Sequence, residues 1–171
     1  MPAPTNNPVI NSLEFARKAL EIHDTIAISQ FPRLREYLVS TEGALNYRLF
    51  GVVNAGDEPR LQLRITGSLQ LSCQRCLEPF AFKLDIASIF IVVADENAIP
   101  AEADEQDDID YLVEDAQMSV MALIEDAVLL ALPLAPKHDD AQCAASAKLN
   151  ELKKPSPFAV LKALKTGKSQ N

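Results

Sequence analysis

The sequence predicts an α+β fold in which a curved antiparallel sheet is covered by a few helices, with an acidic loop and a short C-terminal helix. Three observations carry this prediction. Residues 61–73 alternate with period two: Leu61, Leu63, Ile65, Leu69, Leu71 and Cys73 share one face, and Gln62, Arg64, Thr66, Ser68, Gln70 and Ser72 share the other. After a short turn the alternation resumes through Phe80, Phe82, Leu84, Ile86, Phe90 and Val92. Met118, Met121, Ala122, Ile124, Val128, Leu129 and Leu132 then recur at helical spacing, stopped by Pro133 and Pro136.

The elements follow in order. A Pro- and Asn-rich start, residues 1–11, is expected to be a flexible tail, followed by a single domain over 12–140. Residues 12–20 form a short amphipathic helix capped by Ser12, with Leu13, Phe15, Ala16 and Leu20 near one face. Ile22, Asp24, Ile26 and Ile28 alternate with their neighbours as in a half-buried strand. A helical turn is expected over 31–38, with Pro32 in its first turn. Leu45, Tyr47, Leu49 and Val53 begin the sheet's centre, which turns at Asn54–Pro59. Gly67, on the apolar face of the next strand, marks an expected bend or bulge. Residues 109–113 supply one more short strand. Residues 141–171 are a polar tail whose segment 157–165 opposes Phe158, Leu161 and Leu164 to Lys162, Lys165 and Lys168 as a short amphipathic helix.

Charge is distributed unevenly along the 171 residues, which carry a net −8. Residues 1–93 balance nine basic against nine acidic groups, residues 94–126 hold twelve acidic groups and no basic one, and residues 137–171 carry seven lysines. The acidic segment 95–108 is expected to be a solvated loop. An acidic chain disfavours tight non-specific RNA binding while leaving a local basic patch or a basic protein partner open. No run reaches the roughly 18 apolar residues of a membrane span, and the start lacks the pattern of a signal peptide, so a cytoplasmic location is expected. An odd count of three cysteines fits reduced thiols.

Catalytic signatures are scarce. A Gly-rich phosphate loop, a His-Glu-x-x-His pair and a Gly-x-Ser-x-Gly elbow are all missing from the sequence, and His23 and His138 are the only histidines. Acidic pairs such as Asp107–Asp108, Glu114–Asp115 and Glu125–Asp126 could chelate a hard cation, but solvated charge, or helix-surface charge for the last pair, is the commoner role. The basic residues Arg48, Arg64, Arg75 and Lys83 can decorate one sheet face, where solubilising charge is the commoner role.

Chemistry concentrates at the predicted hairpin tip, Cys73-Gln74-Arg75-Cys76. With His138 and Cys143 beyond the helix, Cys73 and Cys76 form a four-ligand set suited to structural zinc. The alternative is that Cys73 merely continues the buried face and the other two are bystander thiols. A redox pair fits less well, because such motifs sit between a strand and a helix, whereas a strand resumes after Cys76.

Taken together, Cys73-Gln74-Arg75-Cys76-Leu77-Glu78-Pro79-Phe80, the acidic Val113-Glu114-Asp115, the run Glu125 through His138 with Cys143, and Pro157-Phe158-Ala159-Val160-Leu161 resemble the YceD family of large ribosomal RNA subunit accumulation proteins. The resemblance implies a bacterial, non-enzymatic factor for synthesis, processing or stability of 23S ribosomal RNA, acting by binding. It implies the pre-50S particle, 23S RNA or ribosomal proteins as partners, with no membrane and no small-molecule substrate. A recognition surface is expected at Arg75, Glu78, Pro79 and Phe80. The rival readings are a zinc- or thiol-dependent enzyme built on Cys73, Cys76, His138 and Cys143, and a general protein-interaction module that affects RNA indirectly.

Overall fold

The computed structural model describes residues 7–100, 109–139 and Cys143. Seven strands and two α-helices run through the described residues in the order β1 (Val9–Ile10), α1 (Ser12–Arg17), β2 (Glu21–Ala27), β3 (Ala44–Val53), β4 (Pro59–Ser72), β5 (Pro79–Val93), β6 (Ile109–Val113), β7 (Met118–Ser119) and α2 (Val120–Ala131). Short 3₁₀ turns link β2 to β3: the one at Leu34–Tyr37 falls in the expected turn, whereas the one at Ile28–Gln30 takes Ile28 out of the strand expected to hold it.

The main sheet has the order β2-β3-β4-β5-β6. The first four strands are antiparallel neighbours, and the β4–β5 hairpin pairs continuously from Arg60↔Ile91 to Ser72↔Pro79. The fifth departs from expectation: β6 lies parallel to β5, so the sheet is mixed. The reason is the connection. Residues 94–108 separate the two strands, and a parallel neighbour needs a dozen or more residues to carry the chain back to the starting edge. The acidic segment is long enough to do this. Of the expected acidic loop, residues 95–100 hold a 3₁₀ turn at Glu96–Ala98 capped by the Asp95 side chain, and residues 101–108 lie outside the described residues. The tail 144–171, with its expected helix at 157–165, also lies outside them.

Period-two alternation becomes a core. Leu61, Leu63, Ile65, Leu69 and Leu71 are buried, and they meet Phe15 and Ala16 of α1 and Val120, Ile124 and Val128 of α2 on the same side of the sheet. Each such aliphatic burial contributes roughly 1.5–3 kcal/mol.

Several local readings need correction. Gly67 makes no bulge, since Thr66↔Asp85 and Gly67↔Leu84 stay in register. Its role is spatial: a Cβ there would come within 2.5 Å of Leu45 Cδ2, so the glycine makes room for a core leucine from β3. Gly51 does the same for α1, where a Cβ would lie 2.3 Å from the Phe15 carbonyl oxygen. The α1 cap is Asn11, whose side chain accepts from Glu14 N–H at 2.8 Å, while Ser12 is buried and exchanges bonds with Asp115. The second helix begins at Val120 because Met118–Ser119 pairs with Val9–Ile10, which brings part of the segment assigned to the N-terminal tail into the fold.

Glu125 anchors α2. It is buried, yet its carboxylate accepts from the N–H groups of Arg33 at 2.7 Å and Leu34 at 3.0 Å and from Arg33 Nε at 2.9 Å. Burial alone would raise its pKa; the hydrogen bonds from Leu34 and Arg33 outweigh this and hold the carboxyl below its ordinary range. Sequence reading had placed Glu125 and Asp126 together on the helix surface. Only Asp126 is exposed, and it takes the far side of Arg33 at 2.7 Å.

Candidate metal centre

The hairpin tip and the segment after α2 meet at one place. The tip is a tight turn in which Leu77 N–H donates to the Cys73 carbonyl at 2.8 Å and Cys73 N–H to the Glu78 carbonyl at 3.0 Å. Closing it requires a left-handed backbone at Leu77, φ +63°, which is unusual for a branched side chain. Gln74 N–H then donates to the Pro136 carbonyl at 2.8 Å, which seats the Pro-rich segment against the tip and carries His138 to it.

Four ligand atoms converge there. The Sγ atoms of Cys73, Cys76 and Cys143 and one ring nitrogen of His138 all lie within 4.8 Å of one another. Cys73 Sγ is 4.0 Å from Cys143 Sγ, and Cys76 Sγ is 3.6 Å from His138 Nδ1. The cysteines are free thiols, and 4.0 Å is about twice the roughly 2.05 Å of a disulfide bond. Tetrahedral zinc, with sulfur at about 2.3 Å and nitrogen at about 2.0 Å, would set its ligands roughly 3.3–3.8 Å apart. The pairs at 4.0 and 3.6 Å already lie within about 0.2 Å of this range, and a set spread over as much as 4.8 Å would close by up to about 1 Å to fit. Cys73 and Cys143 are buried, whereas Cys76 and His138 are half-buried at the mouth. The two readings of Cys73 therefore merge, because it ends the buried face of β4 and also points into the cluster.

The neighbours of each group set its ionisation. Burial pushes the Cys73 thiol up, but N–H groups of Cys76, Arg75 and His138, together with the Cys76 side chain, bring it down to about 5. The Glu78 N–H favours a Cys76 thiolate, yet burial and the sulfurs of Cys73 and Cys143 hold its pKa above the usual thiol value. His138 is raised: burial disfavours its charged form, and the sulfurs of Cys143 and Cys73 outweigh that.

Phe80, one of the residues expected to form a recognition surface, packs its ring on His138 with centroids 5.1 Å apart. It orients the imidazole. Arg75, Glu78 and Pro79 are exposed at the tip. His23 lies far along the sequence on β2, exposed beside Glu21, and takes no part in the cluster. Arg48 and Arg64 face each other across β3 and β4 on the solvent side, where Arg48 is paired with Glu21. No helix among the described residues is long and apolar enough to cross a membrane.

Comparison with known proteins identifies a family. The family model for large ribosomal RNA subunit accumulation protein YceD matches residues 61–165, more than half the chain. The chain belongs to the YceD family. Among curated relatives, the large ribosomal RNA subunit accumulation protein YceD of Haemophilus influenzae is 28% identical over 170 residues, which cover 91% of this chain and 94% of that protein. No solved structure matches. All four candidate ligands fall inside the region matched to the YceD model.

Proposed function

We propose that this protein supports accumulation of the large-subunit 23S ribosomal RNA by binding to the RNA or its maturing particle, and that Cys73, Cys76, His138 and Cys143 hold a structural zinc ion. Membership of the YceD family carries the first half of this reading. Convergence of four soft or borderline donors from two distant segments carries the second.

Zinc would act as a clasp. It would fix the β4–β5 tip to the segment after α2, where the hydrogen bond from Gln74 to Pro136 already holds the two backbones together. With all four positions filled by protein atoms, such an ion has no open site for substrate, which is the pattern of a structural centre and not a catalytic one. The clasp presents Arg75, Glu78 and Pro79 on a rigid exposed tip, and these side chains form the contact surface toward the pre-50S particle.

Two experiments test the halves separately. Deletion of the gene should lower mature 23S RNA relative to 16S RNA, and an unchanged RNA profile would overturn the role in accumulation. Elemental analysis of the purified chain should return one zinc per molecule, and its absence after expression in zinc-supplemented medium would overturn the clasp. Charge reversal at Arg75 and Glu78 should reduce co-sedimentation with large-subunit precursors while leaving the zinc content unchanged.

A further inference from the structure

Beside the clasp lies an apolar groove of about 610 Å³. Leu38, Val39, Leu71, Leu129, Leu132 and Pro136 line it. Its apolar surface is open to solvent: Val39 is 54% exposed, neighbouring Tyr37 60%, and Leu134 is fully exposed. Glu36 stands on the rim. Contiguous apolar surface of this kind marks an interaction site.

The chain itself supplies a matching occupant. It continues from Cys143 to Asn171, and Phe158, Leu161 and Leu164 recur every three residues with Lys162 and Lys165 beside them. The family match extends to residue 165, just past this stripe, so the segment belongs to what the chain shares with the YceD family. Reach is ample. Cys143 is held in the cluster, Gln74 and Pro136 join the cluster's turn to the groove, and Pro157 follows Cys143 by fourteen positions, about 50 Å at full extension. The lysines complement Glu36 on the rim.

We propose that this groove is the seat of the chain's own segment 157–165, with Phe158, Leu161 and Leu164 against Val39, Leu71, Leu129 and Leu132. The inference goes beyond the role in RNA accumulation and does not depend on it. The test places the photo-crosslinker benzoylphenylalanine at exposed Val39 in the full-length protein, irradiates a mixture of isotopically light and heavy chains, and maps the crosslinks by mass spectrometry. Crosslinks to the 157–165 peptide of the same chain, unchanged on dilution and reduced at least tenfold by a Phe158→Asp, Leu161→Asp double substitution, are expected. Hydrogen exchange in 129–136 should accelerate in that double variant while its zinc content stays the same. Crosslinks only between light and heavy chains would assign the groove to a second copy, and crosslinks elsewhere, or none, would leave the segment unseated; each overturns the proposal.

Discussion

The segment running from α2 to its end is tied to the rest of the molecule at two places, and they are built on opposite principles. Glu125, near the middle of the helix, is a buried anion whose compensation is complete: two N–H groups and a guanidinium surround it. The cluster beyond the helix gathers three sulfurs and an imidazole within 4.8 Å of one another, with Arg75 N–H donating to Cys73 Sγ at 3.5 Å. The first tie is finished by the polypeptide, whereas the second has the donor set of a zinc site, and the proposed clasp would complete it with a cation from outside. On the proposed clasp, one tie rests on hydrogen bonds within the chain and the other on a supply of metal.

Breaking the proposed zinc clasp should have the largest effect. Replacing Cys143 by Ser is expected to weaken zinc binding by more than the roughly 10–100-fold that changes around a ligand shell cause, as measured by competition with a chromogenic chelator. Stripping the metal from the wild type should lower its melting temperature, and restoring zinc should return it. Equal melting temperatures with and without zinc would show that the second tie, like the first, is finished by the polypeptide.

Glu125→Ala should come next, at about 3 kcal/mol in urea unfolding, because it leaves the Arg33 and Leu34 N–H groups without their acceptor. Zinc content should remain one per chain, which separates the two ties. The pH dependence sharpens this further. The Glu125 carboxyl has its pKa lowered in the fold from an ordinary 4.5, so its stabilisation is present above that value and is lost as pH falls through the lower, folded pKa. The gap in urea midpoint between wild type and Glu125→Gln should therefore be constant from pH 7 to 5 and shrink below 4.5. A gap that widened toward acid would refute the assignment.

Gly51→Ala probes how tightly α1 is held, at a site remote from both ties. The added methyl meets backbone atoms of Phe15 and Ala16, which cannot move as a side-chain tip could, and a loss of about 1–3 kcal/mol by urea denaturation is expected. The smallest effect belongs to Leu77→Gly. Relief of the positive φ should offset the entropy of glycine, giving a stability change within about 1 kcal/mol and undiminished zinc binding. A large loss there would mean that the exposed leucine side chain itself supports the clasp.

Much of this molecule was legible in local pattern. Strands β3 to β5 and α2 announce themselves through period two and helical spacing, because a half-buried element must alternate apolar and polar residues in step with its own geometry. Cys73 and Cys76 stood out by their spacing at a hairpin tip, and His138 and Cys143 by chemical type. What local pattern misses is whatever depends on a partner distant in sequence. Glu125 looks like helix-surface charge until Arg33 and Leu34 arrive from 92 and 91 residues away. Gly67 looks like a bulge until Leu45 is seen to need its space.

The sequence by itself determined which residues alternate, where the helices stop and which four side chains have the chemistry of a zinc set. Tertiary structure decided that β6 pairs in parallel, that Glu125 is buried among donors, and that the four ligand atoms stand within 4.8 Å of one another. The reason is physical: alternation and termination are properties of one segment, whereas pairing direction, compensation of a buried charge and convergence of ligands exist only between segments that folding brings together.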